Sequence, residues 1–238
     1  MQFFVISPIM MIPLYYNGII GMCVCMAFII GTWIATGMIS TYYDLPPTNL
    51  VMGGNTADYG REYYRKPWCR IGPYVVGIMM GYMLYKFKGR FRLSKIVNLL
   101  IWAVIAALAL TVLYGLHDYF NGTVLSTEVA SLFNTTHRTL WGLVVCWVIF
   151  ACATGHGGFV NTLLSWSAFT PLARLSYCVY LVHPFVMNAY YHSRRQLVYL
   201  TDHEAIYLFL GHLVLSNMVA VIASLLFEAP MLGLEKVI

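Results

Sequence analysis

Seven apolar runs follow one another along the chain, separated by polar or glycine-containing connectors. They cover residues 3–16, 19–39, 71–85, 96–116, 140–153, 172–191 and 205–227. A helix needs about 20 mostly apolar residues to cross a bilayer, because no water in the hydrocarbon satisfies exposed backbone groups. The first run is short and contains Pro8 and Pro13. The pattern therefore predicts an all-α, multi-pass transmembrane helical bundle of about six to seven spans.

The composition agrees with lipid as the solvent. Of the 238 residues, 60% are hydrophobic and 10% are charged, whereas a soluble domain carries roughly 25% charged residues. The net charge of +5 does not indicate a nucleic-acid partner, because five cations share one loop between two apolar runs. These cations are Lys86, Lys88, Arg90, Arg92 and Lys95. The positive-inside rule places this loop in the cytoplasm.

The remaining connectors can be assigned by counting outward from the basic loop. Connectors 41–70 and 117–138 become extracytoplasmic, and the C-terminus becomes cytoplasmic, in the plasma membrane or an endomembrane. Both glycosylation sequons, at Asn121 and Asn134, fall in connector 117–138. Glycosylation of both is therefore expected. Only Cys69 of the six cysteines lies in a polar connector, which indicates either a partner elsewhere or a free thiol.

Polar groups at membrane depth are candidates for chemistry because burying them in lipid is costly. Ser176, Tyr180 and His183 recur at i, i+4 and i+7, so they share one helix face, and Arg174 lies near its start. His212 lies at a comparable depth in the last run. We expect a polar pocket between these helices, for proton transfer or for binding a polar substrate. The alternative is a set of interhelical hydrogen bonds without chemistry.

Other arrangements have weaker support. A Ser176–His183 nucleophile pair lacks the Gly-x-Ser-x-Gly turn and a nearby carboxylate. The seven histidines are scattered without ligand spacing, so no metal site is predicted. Gly155, Gly157 and Gly158 could present backbone N–H groups to an anion, although no lysine follows and a flexible connector explains them better.

Three segments resemble a known family. They are residues 1–8, the stretch Tyr-Arg-Lys-Pro-Trp-Cys-Arg-Ile-Gly-Pro-Tyr at 64–74, and residues 171–184, which contain Ser-Tyr-Cys-Val-Tyr-Leu-Val-His. They are similar to the animal "nose resistant to fluoxetine" proteins of the acyltransferase 3 superfamily. The last segment also resembles the Ser-Tyr-x-x-Tyr-Leu-x-His signature of bacterial members.

The resemblance implies transfer of an acyl group, other than an amino-acyl group, from acyl-CoA to a hydroxyl of a lipid or another acceptor. Acyl-CoA would be a co-substrate, no cofactor would be bound, and membrane lipids would be partners. In the family, the histidine regarded as catalytic follows an arginine on the first spanning helix. This chain has no matching pair, since its first histidine is His117 in a polar connector. His183 matches the signature histidine, for which a supporting role is expected.

Residues 1–238 would then form the C-terminal part of an acyltransferase 3 fold with about ten spans of some 20 residues each. The catalytic residue would lie outside this chain, on an N-terminal part that would be its partner, and the isolated chain would be inactive. Two alternatives remain open. One is a lipid or xenobiotic transport protein without acyl chemistry, and the other is a truncated pseudo-enzyme that assembles with other membrane subunits.

Overall fold

A computed structural model describes residues 2–48, 56–87, 93–122, 125–194 and 201–235. These residues are predominantly helical and include no strand, which confirms the all-α class. We number the seven longer helices in chain order: α1 Gln2–Tyr16, α2 Gly18–Tyr42, α3 Ile71–Phe87, α4 Lys95–Tyr114, α5 Thr127–Ala153, α6 Phe169–Ser193 and α7 Asp202–Ala223. The chain divides into two compact units, Met1–Asn161 and Thr162–Ile238.

Four helical segments of the described chain are long and apolar enough to cross a membrane. They are Gly18–Tyr42, Lys95–Phe120, Thr127–Ala153 and Asp202–Met231. Helix α1 is a shorter apolar helix. The multi-pass membrane class is therefore confirmed, while four segments, rather than six or seven, meet the length and hydropathy requirements.

Helices α1 and α2 meet at a Tyr-Asn-Gly turn, residues 16–18, between the first two apolar runs. Asn17 caps α2, because its side-chain oxygen accepts a hydrogen bond from the backbone N–H of Ile19 at 3.1 Å. A methyl group at Gly21 would lie 2.5 Å from the backbone of Leu14. Only a glycine therefore allows the two helices to approach this closely just after the turn.

Helix α2 contacts three other helices of the first unit. It packs against α1, α3 and α5, while α4 packs against α5. A buried apolar cluster fills the α1–α2–α3 contact: Met10, Leu14, Cys25, Ile29, Ile71, Val75 and Val76. On α4, by contrast, Ile105 is the one buried residue. A helix so apolar and so exposed indicates a surface that faces lipid.

Gly77 and Gly81 of α3 have the Gly-x-x-x-Gly spacing typical of close helix contacts, but they mediate none among the described residues. A methyl group at Gly77 or Gly81 would meet no atom within 4 Å among the described residues. The close approach lies one to two turns earlier, where Gly72 faces Thr139 and Gly142 of α5 faces Pro73. Each helix therefore contributes one glycine to this close contact, Gly72 from α3 and Gly142 from α5.

Two connectors differ from the sequence prediction. Helix α5 begins at Thr127, so the second half of the predicted connector 117–138 is helical. Connector 41–70 contains short turns at Thr56–Asp58, Tyr59–Tyr64 and Pro67–Cys69. In the basic loop, Lys88, Arg90 and Arg92 lie outside the described residues.

The second unit is built on a helix pair. Helix α6 packs along α7, which continues through a π-helical turn, Ser224–Glu228, into a short helix, Ala229–Glu235. π-helical turns within α-helices are frequent at functional sites. This unit contains the residues for which the sequence predicted a polar pocket.

Candidate functional site

The face of α6 that the sequence singled out does not form an enclosed pocket. Arg174, Ser176 and Tyr180 are exposed, and 69% of Tyr180 is accessible. The Ser176 hydroxyl donates to the carbonyl oxygen of Ala173 at 2.7 Å. Arg174 instead lines an open groove of about 420 Å³ with Trp166. These residues thus share one helix face, but the rest of the second unit leaves that face largely exposed.

The two histidines have different surroundings within this unit. His183 is half-buried, with Nδ1 at 3.1 Å from the carbonyl oxygen of Val179 and its ring near that of Tyr180. His212 packs against two aromatic rings of α6, with centroid distances of 4.9 Å to Tyr190 and 5.5 Å to Tyr191. The structure therefore pairs His212 with tyrosines that the sequence did not single out.

His212 has an unsatisfied imidazole. Both ring nitrogens are buried, and neither has a hydrogen-bond partner among the described residues. A neutral imidazole carries one donor and one acceptor. Leaving a buried donor or acceptor unpaired costs about 1–3 kcal/mol. The imidazole is thus a buried polar group that the described residues leave unpaired.

A second polar cluster in this unit joins α6 to the π-helical turn. The Glu228 carboxylate oxygen Oε2 accepts from the Cys178 thiol at 3.1 Å and from the Ser224 hydroxyl at 2.8 Å. The sequence has Glu228 just after the last apolar run and Cys178 inside an apolar run. These positions do not predict the contact, since the two residues are distant in sequence.

The glycine loop closes α5 instead of presenting a row of free N–H groups. The N–H groups of Gly155 and His156 donate to the carbonyl oxygens of Cys152 and Ala151. Gly155 has a φ of +78°, the left-handed conformation that this helix ending requires. Gly158 also has a positive φ, and a methyl group at Gly157 would lie 2.9 Å from Cys152 Sγ. These glycines therefore have a structural role, and anion binding by Gly155, Gly157 and Gly158 stays a prediction.

His156 ties this loop to the start of α4. Its Nε2 accepts from the backbone N–H of Leu93 at 3.1 Å, which fixes the proton of the neutral ring on Nδ1. Nδ1 then donates to the Thr154 hydroxyl at 3.1 Å. The His156 carbonyl oxygen accepts from the side chains of Asn98 and Trp102. The histidine therefore fixes the loop in place.

Another polar cluster of the first unit surrounds Asn134, which is 1% exposed. Its amide nitrogen donates to the Ser40 hydroxyl at 3.0 Å and to the Pro46 carbonyl oxygen at 3.2 Å. The backbone carbonyl oxygen of Asn134 accepts from the Tyr63 hydroxyl at 2.9 Å. Asn134 thus joins α5 to α2 and to the connector. Asn121 is exposed and Asn134 is buried, and glycosylation of either stays a prediction.

Arg138, one turn after Asn134, lies over the aromatic rings of the connector. Its guanidinium carbon is 4.2 Å from the Tyr63 ring centroid, and Nη1 donates to the Cys69 carbonyl oxygen at 3.4 Å. Burial raises the pKa of the Tyr63 phenol, although Arg138 partly offsets the effect. Burial likewise raises the pKa of the Cys69 thiol. Both groups therefore stay protonated at neutral pH, and Cys69 is a free, buried thiol.

Within the described part of the chain, no three His, Cys, Asp or Glu side chains lie together as a metal site would require. The sequence missed the Asn134 and Cys178 clusters because they join distant segments. For the Asn134 cluster the sequence does contain a partial indication, since Asn134 and Arg138 are spaced i, i+4 and share a helix face.

Long apolar helices with buried polar groups define the class as a multi-pass membrane protein. The chain matches the family described as "Acyltransferase domain" (acyltransferase 3) over residues 1–229, and it belongs to that family.

One curated relative is the "Nose resistant to fluoxetine protein 6" of Caenorhabditis elegans. The two are 28% identical over 213 residues, which cover 84% of this chain and 26% of the relative. The chain thus spans about a quarter of that protein's length. No solved structure matches the chain.

Proposed function

We propose that this chain forms part of a membrane acyltransferase that moves an acyl group, other than an amino-acyl group, from acyl-CoA to a hydroxyl of a lipid or another acceptor. The observation that carries this proposal is the acyltransferase family match over residues 1–229. The apolar spanning helices support a reaction at the bilayer, where a lipid hydroxyl is presented.

The reaction needs a general base. As the acceptor oxygen attacks the thioester carbonyl, the base removes the hydroxyl proton. The carbon–sulfur bond then breaks, and coenzyme A leaves as the thiol once a proton is returned to its sulfur. The products are an ester and free coenzyme A, and a positioned base contributes about 10²- to 10⁴-fold to the rate.

We assign the base to a histidine outside residues 1–238, on an N-terminal part of the same protein. His183 is better suited to a supporting role. Its Nδ1 faces the Val179 carbonyl oxygen, and no carboxylate is hydrogen-bonded to it in the described residues. A base of the Ser-His-Asp type is oriented by such a carboxylate. With the proton on Nδ1, Nε2 can accept a hydrogen bond from a substrate.

His212 is assigned to positioning the acceptor. Its buried nitrogens lack partners among the described residues, and the rings of Tyr190 and Tyr191 flank it. A hydroxyl can either donate to the unprotonated imidazole nitrogen or accept from the protonated one. The aromatic rings suit the apolar part of the same acceptor.

The test follows labelled acyl-CoA in membranes that contain the longer polypeptide to which this chain belongs. We expect a labelled ester that is lost when the N-terminal histidine is replaced and retained in His183→Ala. His212→Ala should raise the KM for the acceptor with a smaller change in the KM for acyl-CoA. His192→Ala is the matched control, because His192 is exposed and contacts a carbonyl of its own helix as His183 does.

A lipid or xenobiotic carrier is the alternative function. A large apolar groove in the first unit favours it, and the relative's name refers to fluoxetine. Facilitated movement of labelled lipid or fluoxetine without an ester product would support the carrier and contradict the transferase.

We further propose that the chain lies in the plasma membrane or an endomembrane, with its C-terminus and basic loop in the cytoplasm. The cation-rich loop supports this orientation. It places Asn121 on the extracytoplasmic side, where glycosylation takes place.

A further inference from the structure

An apolar groove runs along α1 and α2 in the first unit and ends at the Pro67–Cys69 turn. Its volume is about 660 Å³, which is within the range of about 300–1,000 Å³ typical of small-molecule sites. The lining residues are mostly apolar: Gln2, Phe3, Ile6, Val24, Ala27, Phe28, Gly31, Thr32, Pro67, Trp68 and Ile71. The groove is open along one side, so a ligand can enter it laterally.

The walls offer few hydrogen bonds to a ligand. The Thr32 hydroxyl is already used, because it donates to the Phe28 carbonyl oxygen at 2.9 Å. Phe3 stacks on Tyr74 and presents carbon atoms. At Gly31 a side chain would meet no atom within 4 Å, so open space lies beside this lining residue. Such a surface suits an aliphatic chain better than a polar molecule.

Cations gather where Trp68 closes the groove. The Lys66 ammonium lies 5.2 Å from the Trp68 ring centroid. Arg70, which directly precedes the lining residue Ile71, lies with its guanidinium carbon 4.3 Å from the Tyr64 ring centroid. Both contacts hold the cations beside aromatic faces, which favours a defined position.

The charges at this end are unbalanced. Residues 56–70 contain four cations and two carboxylates. Glu62 pairs with Lys66 at 3.3 Å and with Arg61 at 2.9 Å. Arg65 and Arg70 are exposed and have no carboxylate partner among the described residues. Positive charge is therefore available for an anion next to the apolar groove.

We propose that this groove binds an anionic phospholipid. One acyl chain lies along Gly31 between α1 and α2, and the headgroup phosphate contacts Arg70 and Arg65. The acyl chain follows from the apolar, open walls, and the anionic headgroup follows from the excess of cations. The proposed orientation puts connector 56–70 outside the cytoplasm, so this headgroup lies in the extracytoplasmic leaflet. This site is independent of the proposed acyl transfer, since binding requires no reaction.

The test uses the chain of 238 residues in vesicles of phosphatidylcholine with a minor fraction of brominated lipid. Bromine on the acyl chain quenches tryptophan fluorescence at contact distance, so Trp68 reports occupancy of the groove. The Trp68 contribution is the difference between the wild type and Trp68→Phe. We expect brominated phosphatidic acid to quench this contribution more strongly than brominated phosphatidylcholine at the same fraction.

Two variants separate the headgroup from the chain. Arg70→Gln should reduce the preference for phosphatidic acid by about fivefold, the effect of one cation near a membrane surface. Gly31→Leu should fill the groove and abolish quenching by either lipid. Gly77→Leu is the matched control, because that glycine also has open space but does not line the groove.

Equal quenching by the two lipids would overturn the headgroup assignment. Quenching that survives in Gly31→Leu would overturn the chain assignment. Circular dichroism of each variant checks folding. Arg70 is on the surface, so Arg70→Gln should fold. The headgroup assignment can therefore be tested even if Gly31→Leu does not fold.

Discussion

The contact between α3 and α5 depends on Gly72, and replacing it by alanine should destabilise the protein. The added methyl group would lie 2.5 Å from Thr139 Oγ1. That oxygen accepts a hydrogen bond from the Trp33 indole N–H at 3.2 Å. Displacing the Thr139 oxygen disturbs the packing and breaks the hydrogen bond to Trp33, so α2, α3 and α5 are all affected.

The magnitude follows from these contacts. Overpacking costs about 1–3 kcal/mol, and a lost hydrogen bond adds about 0.5–1.5 kcal/mol. The better helix propensity of alanine returns up to about 1 kcal/mol. Gly72→Ala should therefore lower the free energy of unfolding by about 1–3 kcal/mol.

A double-mutant cycle isolates the clash. In Thr139→Ala the hydroxyl is absent, and the nearest remaining Thr139 side-chain atom is Cβ at 3.6 Å, an ordinary contact. Gly72→Ala should then cost less than about 0.5 kcal/mol, which gives a coupling energy of about 1–3 kcal/mol. Unfolding in detergent micelles, followed by circular dichroism, measures each variant.

Gly77→Ala provides the control, since a methyl group there meets no described atom within 4 Å. It should leave stability unchanged or raise it by up to about 1 kcal/mol. Equal costs of Gly72→Ala in both Thr139 backgrounds would refute the contact between Gly72 and Thr139.

Three further predictions concern single residues. In microsomes, Asn121→Gln should remove the endoglycosidase-sensitive mass shift and Asn134→Gln should leave it; the reverse would show that Asn134 is not buried. Burial raises the pKa of Tyr63 above its ordinary value of 10.0, so the folded state holds this proton more strongly. Below pH 10 the ionisation of Tyr63 should therefore not affect the melting temperature, and above pH 10 the melting temperature should fall. The fall should be smaller in Tyr63→Phe than in the wild type. An equal fall in the two proteins would contradict this prediction. His156→Ala removes the acceptor of the Leu93 N–H and should cost about 1–3 kcal/mol, measured by thermal unfolding, and no loss would contradict its anchoring role.

The helical class and the first turn follow directly from the sequence, but the start of α5 does not. Residues 127–138 look like a connector because they are polar. In the structure their polarity is satisfied locally, since Thr135 and Thr136 donate to the carbonyl oxygens of Ser131 and Leu132 at 2.8 Å. Asn134 bonds to other segments. Mean hydropathy counts the polar residues of a segment, but it contains no information on their hydrogen-bond partners.

The predicted pocket shows the same limit. Helical spacing correctly places Ser176, Tyr180 and His183 on one face, but it does not reveal which face meets a neighbouring helix. The contacts with α7 and its continuation come from other residues of α6, among them Cys178 and Tyr191. Which residues meet across two helices depends on tertiary packing, which is absent from the local pattern.

The central claim is that these helices are embedded in a bilayer. The orientation proposed above puts the 56–70 connector and the basic loop on opposite sides. Helix α3 joins them and is about 25 Å long at 1.5 Å per residue. The direct measurement labels single cysteines with a membrane-impermeant maleimide in sealed, oriented vesicles, in a background from which the native cysteines are removed. Arg65→Cys and Ser94→Cys are exposed positions at the two ends, and Val104→Cys lies in the middle of α4.

We predict that Arg65→Cys reacts from one side only, that Ser94→Cys reacts from the other side only, and that Val104→Cys does not react until detergent is added. Reaction of Arg65→Cys and Ser94→Cys from the same side would contradict a membrane-crossing α3. Reaction of Val104→Cys in intact vesicles would contradict the embedding of α4.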